Sequence, residues 1–247
     1  MKRLFAIAVV CTILSCSAEK QETMVEFELC AAFDVPTKLH LEGTDAPLSS
    51  SRYWKWSEDD ALMLTYSYGG ELQTCSSSSM RFGSDDGKYA FFTFNIPSSA
   101  RVVSIEYGSD SAYGKTCDFT SDISGEMVFA RASVSGEPGE PNLPVGVLQQ
   151  CCSYLQINPV VTGKVVRSIT VSGTGLTGAG SGAGKITIPL DKMLPFWVAV
   201  CNEAADVVVE AVDSGSGTTV LATLDDLGKG SCQMYEISYK PIIDYRQ

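Results

Sequence analysis

The feature that most constrains this chain is its division, after residue 20, into short runs rich in β-branched and aromatic residues. Clusters of glycine, serine, aspartate and proline separate these runs, and no apolar helical period extends over three turns. In the first run, which opens at Met24, apolar residues at 25, 27 and 29 alternate with glutamates. A period of two places alternate side chains on the two faces of a strand. The chain is therefore predicted to be all-β, as a sandwich or a barrel.

Turn and linker signals divide this pattern further. Ser84–Gly87 is a strong hairpin signal before a strand from Tyr89. The proline-rich segment 135–144 separates two β-rich halves, and proline cannot donate to a sheet ladder. We therefore expect domains at 24–140 and 141–247. The other candidate strands are Leu39–Leu41, Leu62–Tyr68, Val102–Tyr107, Met127–Val134, Ser153–Val161, Gly163–Val171, Lys185–Leu190, Phe196–Cys201, Val207–Val212, Thr218–Leu224 and Gln233–Tyr239.

The N-terminus is typical of an export signal. Two basic residues precede an apolar run from Leu4 to Leu14, which is shorter than the roughly 20 residues that span a bilayer. Ser15 then stands directly before Cys16, and this sequence resembles a bacterial lipobox, in which the cysteine is acylated after cleavage. We expect a lipoprotein signal peptide at 1–15, lipid on Cys16 and a polar tether at 16–23. The alternative is an ordinary signal peptide in which Cys16 is incidental.

Composition excludes several function classes. A net charge of −11 argues against nucleic-acid binding, because basic residues must neutralise phosphates. With His40 as its single histidine, the chain is a poor candidate for a metal centre or a Ser-His-Asp triad. Seven cysteines would remain once Cys11 leaves with the signal and Cys16 takes lipid, and none of them forms a CxxC motif, so zinc is not expected. Buried thiols and one or two disulfides of open pairing are both compatible with this count.

Two further motif types are interpreted as structural. Gly173–Gly178 matches GxGxxG, and Lys185 follows a glycine-rich stretch, but a β-run follows where a phosphate-binding helix would have to begin. This stretch is predicted to be a loop between two strands. The aspartates at 59–60, 85–86, 118, 122 and 225–226 lack EF-hand spacing and are interpreted as solvated turn residues. No cofactor is expected. A glycosidase with paired carboxylates stays open, since no two acids can be paired from the sequence.

The order of these features resembles the fimbrillin family, the type V pilins and related surface lipoproteins of Bacteroidetes. The resemblance is carried by the lipobox, the opening strand and Arg52 with Trp54 and Trp56. Glu58–Asp60 stands where the family often has Gly-Asp, so this element is divergent. In the second half, the resemblance is carried by the stretches 164–173, 196–200 and 227–235.

The resemblance implies two tandem transthyretin-like Greek-key β-sandwiches on an outer-membrane lipoprotein that supports adhesion. It also implies assembly with other pilin subunits by strand exchange after a protease removes the first strand, here 24–33. The expected cut follows Arg52, with Lys38 as the second choice, and the donor would be 234–245. Because the tail is short, an anchor or tip role is as compatible as a stalk role. Host or bacterial surface ligands are further expected partners.

Two other functions compete with a fimbrial subunit. In a monomeric surface lipoprotein that binds glycans, an exposed Trp54 and Trp56, with Trp197, would stack on sugar rings; packing in the core is the alternative role for these side chains. In a secreted enzyme, the single histidine would have to suffice without a convergent motif. We therefore expect no enzymatic activity.

Overall fold

The computed structural model of the chain is all-β. It describes residues 22–34, 41–42, 56–85, 87–118, 125–158, 166–178, 183–190, 196–215, 217–227 and 234–238. The helices among these residues are two 3-10 turns, Asp110–Ala112 and Gly125–Met127. The expected all-β class is thus confirmed. None of the described helices is long and apolar enough to cross a membrane.

Seventeen strands are described, in three sheets. They are β1 Met24–Phe33, β2 Leu41–Glu42, β3 Met63–Tyr68, β4 Glu71–Ser76, β5 Ser79–Phe82, β6 Tyr89–Pro97, β7 Arg101–Tyr107, β8 Thr116–Asp118, β9 Ala130–Gly136, β10 Val145–Gln150, β11 Cys152–Asn158, β12 Val166–Thr174, β13 Ala183–Pro189, β14 Phe196–Cys201, β15 Ala205–Asp213, β16 Thr218–Asp226 and β17 Met234–Ser238. The sheet orders are β4-β3-β7-β9-β10-β1-β6-β5, β2-β17-β11-β14-β8 and β13-β12-β15-β16.

The eight-stranded sheet encloses the first core. Its alternate strand positions supply a cluster of buried side chains that includes Leu29, Leu64, Phe92, Phe94 and Ile105, all without solvent exposure. The signal at 84–87 joins β5 and β6 as an antiparallel hairpin, as the sequence indicated. Gly87 adopts a positive φ of 68°, a conformation that glycine reaches without steric cost.

The five-stranded and four-stranded sheets enclose the second core. It contains Val198, Val200, Ile169 and Val209 among its buried members. Every residue of β14 is buried, and Trp197 and Ala199 belong to a separate small cluster with Tyr154. Thus β14 has an apolar layer on each of its two faces.

Strands cross the expected domain boundary in both directions. Residue 140 lies in the turn between β9 and β10, and both of these strands belong to the eight-stranded sheet. Two strands from before this point, β2 and β8, pair with β17 and β14 of the five-stranded sheet. The division at residue 140 stays a prediction, as do the transthyretin-like and Greek-key details.

Three strands had no clear signal in the sequence. These are β4, β8 and β10, and the strand β10 shows why. It exposes Val145 and Val147, at 60% and 50%, while Gly146, Leu148 and Gln150 face inward. Apolar residues therefore lie on both faces, and no polar alternation marks the strand. Gly146 is packed so closely that an added Cβ would lie 2.5 Å from a methyl group of Ile105.

Part of the stretch predicted as a loop, Gly173–Gly184, is strand: residues 173–174 end β12, residues 183–184 begin β13, and the described turn between them is 175–178. β12 and β13 pair antiparallel on either side of it, and β13 begins at Ala183. Gly175 and Gly178 adopt positive φ values of 68° and 73°.

Candidate strand-exchange site

The candidate site is β1 together with its two neighbouring strands, β6 and β10. β1 pairs antiparallel with β6 from Met24 to Ala32 and parallel with β10 from Cys30 to Phe33. The backbone N–H of Cys30 donates to Pro144 O at 2.9 Å, and the N–H of Asp34 donates to Leu148 O at 2.7 Å. The first strand of the described chain is therefore an inner strand of its sheet, although its partners lie far away in sequence.

The inward face of β1 is almost entirely apolar and buried. Phe27, Leu29, Ala31 and Phe33 belong to the first core, and the exposed fraction of each is 8% or less. Their alternation with Glu26 and Glu28 comes directly from the sequence period of two. Full burial of a leucine or phenylalanine side chain contributes roughly 1.5–3 kcal/mol. β1 thus fills a long apolar groove that β6 and β10 border.

An aromatic cluster closes the C-terminal end of this groove. The rings of Phe33 and Trp56 are stacked with centroids 4.5 Å apart, and Tyr107 meets both rings edge-on at 5.5 and 5.6 Å. Phe92 meets Trp56 edge-on at 4.9 Å. The Tyr107 hydroxyl donates to Asp60 Oδ1 at 2.7 Å. Burial, together with this hydrogen bond, raises the pKa of Tyr107 far above its ordinary value, so the phenol stays neutral and donates.

The outward face of β1 makes a polar contact with β5, the strand that lies beyond β6 in the sheet. Arg81 donates from Nε and Nη2 to the two carboxylate oxygens of Glu28, both at 3.0 Å. The guanidinium of Arg81 also lies over the ring of Phe91, 3.8 Å from its centroid. This fork geometry links β1 to β5 across β6, although exposed ion pairs stabilise little. The two residues are 53 positions apart in the chain, so no local pattern indicated this pairing.

Several predicted site residues lie outside the described residues. These are Cys16, Lys38, His40, Arg52 and Trp54. The lipidation site and the protease site therefore stay predictions.

Trp56 is not exposed, whereas the alternative interpretation with sugar stacking required exposure. Its side chain is 4% exposed and stacks on Phe33 inside the first core. Trp197 is 2% exposed. Large apolar rings gain more from packing against other aromatic rings than from remaining in water, which explains the burial of both. Neither indole is accessible to a glycan.

One aspartate has a more specific role than a solvated turn residue. Asp60 accepts a 2.6 Å hydrogen bond from Ser57 N, which stabilises the turn before β3, in addition to the bond from Tyr107. Among the described residues, no three His, Cys, Asp or Glu side chains converge closely enough to hold a metal ion.

The expected donor stretch is divided between two settings. Its first part is β17, which pairs parallel with β11 and with β2, and Ile237 is buried in the second core. The residues after Ser238 are outside the described part of the chain. A donor that includes 234–238 would have to leave its own sheet.

A cavity of about 370 Å³ lies where the eight-stranded sheet meets the five-stranded sheet. Its lining includes Tyr113, Arg131, Cys151, Cys201 and Glu203. The Tyr113 hydroxyl donates to Cys151 O at 3.3 Å, and Arg131 forms a long ion pair with Glu203 at 4.0 Å. Burial raises the pKa of Tyr113, and its contact with the Cys201 thiol adds to the shift. Tyr113, Cys151 and Cys201 are therefore among the residues that line this small cavity.

Comparison with known proteins found no match among family models or curated proteins. Similar solved structures include a fimbrial assembly protein from Parabacteroides distasonis, at 10% identity and a TM-score of 0.40, with 83% of this chain and 86% of that chain covered. The tip fimbrial protein Mfa3 from Porphyromonas gingivalis is 11% identical, with a TM-score of 0.34 and 81% of each chain covered. A fimbrial protein from Bacteroides ovatus is 9% identical, with a TM-score of 0.36, 88% of this chain covered and 49% of that chain. At such identities and TM-scores these likenesses establish neither activity nor ligand. All three solved structures are of fimbrial proteins from Bacteroidetes.

Proposed function

We propose that this protein is a non-enzymatic fimbrial or fimbrillin-like lipoprotein of the cell surface, which accepts a strand from a neighbouring subunit and supports adhesion. The observation that carries the proposal is the position of β1. It opens the described chain, yet it lies between β6 and β10 and supplies part of the first core.

Removal of β1 would leave a groove that only another strand fits. The facing edges of β6 and β10 would lose their backbone partners, and the first core would lose the side chains of Phe27, Leu29 and Phe33. Unpaired backbone groups and exposed apolar surface are both costly. A strand from a second subunit would remove both costs at once, because its backbone would restore the ladder of hydrogen bonds and its alternate side chains would refill the groove.

The donor is proposed to be the C-terminal stretch 234–245. Its residues Tyr235, Ile237, Tyr239, Ile243 and Tyr245 recur with the period of a strand. β17 is already paired with β11 in this chain, so donation of residues 234–238 would first have to break that pairing.

Export and anchoring are proposed from the N-terminal sequence. Cleavage before Cys16 and acylation of its thiol would attach the chain to the outer membrane through the polar tether 16–23. Two or more acyl chains are needed for a stable anchor. In cells expressing Cys16→Ala, we expect loss of lipid labelling and of membrane retention. Retention equal to wild type would refute the anchor.

The first test of strand exchange is limited trypsin treatment of the purified, unlipidated protein, followed by intact mass and size-exclusion chromatography. We expect one early cut after Arg52 and then oligomers that withstand mild denaturant. Arg52→Ala should stay uncut and monomeric, while Lys38→Ala should behave as wild type. Cleavage of wild type without any assembly would contradict the strand-exchange proposal.

Tryptophan fluorescence follows the same event at the groove. Loss of β1 removes Phe33 from the face of Trp56, so the emission of Trp56 should shift to longer wavelength and return when a donor strand enters. Trp56→Phe is the control that identifies the signal among the three tryptophans.

A synthetic peptide tests the selectivity of the groove. A peptide of residues 24–33 with Cys30→Ser should enter the groove of the cleaved protein and block oligomers. The same peptide with Leu29→Asp would bury a carboxylate at a fully buried position and should not block them. Equal inhibition by both peptides would indicate that the groove is not the assembly site.

A further inference from the structure

The structure places two cysteines directly opposite each other on neighbouring strands. In the antiparallel pair of β11 and β14, Cys152 is in register with Cys201. Residues opposite each other on antiparallel strands extend to the same face of the sheet. Cys152 packs there with Trp197 and Ala199, the alternate residues of β14 that precede Cys201. The two thiols therefore share one face at one level of the sheet.

The backbone hydrogen bonds define the type of this pair. Asn202 N donates to Cys151 O at 2.9 Å, and Cys201 N donates away from β11, to Leu176 O at 3.0 Å. Cys152 and Cys201 thus form a pair without mutual backbone hydrogen bonds, flanked by the bonded pair at 151 and 202. In such pairs the Cα atoms are about 4.5 Å apart, and disulfides span Cα separations of about 4.4–6.8 Å.

The neighbouring cysteine is placed differently. Cys151 precedes β11, and its thiol is directed at Gln149 O, 3.8 Å from the sulfur. Burial raises the pKa of the Cys151 thiol, which lowers its reactivity at neutral pH. Cys151 is opposite Asn202 rather than Cys201, so Cys151 and Cys152 do not compete equally for Cys201. The sequence assigned no pairing among the seven cysteines after Cys16, and the structure places two of them, Cys152 and Cys201, in a favourable position for a disulfide.

We propose that the exported protein carries a Cys152–Cys201 disulfide that ties β11 to β14. The proposal rests on the proposed function only for export to an oxidising compartment. Cys201 lines the cavity beside Tyr113, as Cys151 also does, and is the member of the proposed pair that an oxidant reaches. Its thiolate attacks the sulfur of a disulfide reagent, either a small-molecule disulfide or an exported thiol oxidoreductase, and displaces one thiol. The Cys152 thiolate then attacks the Cys201 sulfur and displaces the second thiol. Two protons and two electrons leave the protein, and the reagent is reduced to two thiols.

Tryptic mapping distinguishes this bond from the alternatives. The purified full-length mature chain is equilibrated in a glutathione redox buffer, blocked with N-ethylmaleimide, digested without reduction and analysed by mass spectrometry. Cys151 and Cys152 share the peptide 132–164, Cys201 is in 193–229, and the other mature cysteines lie on separate peptides. We expect a link between 132–164 and 193–229 that disappears on reduction.

Single variants then identify which cysteine of the peptide 132–164 is linked to Cys201. The link should be retained in Cys151→Ser and lost in Cys152→Ala and Cys201→Ala. Circular dichroism of each variant checks that the β-fold persists, and the wild-type map does not depend on the variants. No link in wild type, a link from 193–229 to a different peptide, or a link lost in Cys151→Ser and retained in Cys152→Ala would overturn the proposal. Strand exchange is measured separately by size-exclusion chromatography, so failure of one proposal is not mistaken for failure of the other.

Discussion

The strands β1 and β14 both lie inside their sheets, but they are buried in different ways. β1 has one apolar face in the first core and one outward face with Glu26 and Glu28. β14 is buried along its whole length, and its two faces contact different apolar clusters. A strand covered on one face can be replaced by another strand with the same alternation. A strand covered on both faces would have to be extracted from between two apolar layers, so it is suited to hold a domain together rather than to exchange.

This difference in burial also explains the residue patterns of the two strands. β1 alternates, because one face meets water. β14 is the continuous apolar run Phe-Trp-Val-Ala-Val-Cys, because neither face does. The comparison leads to four predictions, from the largest expected effect to the smallest.

The largest effect is expected in β14. Val198→Asp places a carboxylate at a position without solvent exposure, where nothing compensates its lost hydration. We expect a loss of about 5 kcal/mol or more in the free energy of unfolding, a large share of a typical total. Val103→Asp, at a position on β7 that is 41% exposed, is the matched control and should change stability by about 0.5 kcal/mol or less. Chemical denaturation measures both, and a mild effect of Val198→Asp would contradict the two-sided burial of β14.

The next effect is expected on the inward face of β1. Leu29→Ala leaves a cavity in the first core and should destabilise the protein by about 4 kcal/mol. Glu26→Ala changes the outward face of the same strand and should cost little. If β1 is the exchangeable strand, Leu29→Ala should also speed the release of the N-terminal fragment after trypsin cleavage. Equal release in the two variants would indicate that the groove does not hold β1 in place.

A smaller effect is expected from reduction of the proposed disulfide. Opening a bond between Cys152 and Cys201 frees a long loop in the unfolded chain and should lower the free energy of unfolding by about 3 kcal/mol. The effect should be seen as a lower midpoint in denaturant when dithiothreitol is present. Cys201→Ala should unfold at the same midpoint with and without the reductant. A wild-type midpoint that reductant does not change would count against the bond.

The smallest effect is expected at the ion pair on the outward face of β1. Glu28→Gln keeps the shape of the side chain and removes its charge opposite Arg81. We expect a loss of about 0.5 kcal/mol, which shrinks as salt screens the pair. Denaturation at low and high ionic strength measures it. A loss as large as that of Leu29→Ala would mean that charge, rather than apolar burial, holds β1.

Local patterns were sufficient for the fold class and for many strands. The alternation from Val25 to Leu29, the turn at 84–87 and the apolar run at 196–201 predicted β1, the β5–β6 hairpin and β14, and all are present. These features depend on the period of two and on turn chemistry, both of which act between near neighbours in the chain. β10 was missed because its exposed valines and its buried Gly146 and Gln150 hide the period.

The candidate site was predictable only in part. The sequence indicated that residues 24–33 form a strand, but it did not indicate that this strand is inserted between β6 and β10. For Trp56 it left two environments open, and the structure shows the buried one, against Phe33 and Tyr107. The same amphipathic indole suits a sugar platform or an aromatic core, so the choice depends on which rings the fold brings near it.

By itself, then, the sequence determined an all-β chain with an alternating first strand and seven cysteines after Cys16. The tertiary structure decided that β1 runs parallel to β10, that β8 joins β14, and that Cys152 faces Cys201. Alternation and turns are properties of a few consecutive residues. Pairing between segments that are distant in sequence has no local signal, because it is the shared burial of apolar faces in a common core that selects one partner among many strands with the same period.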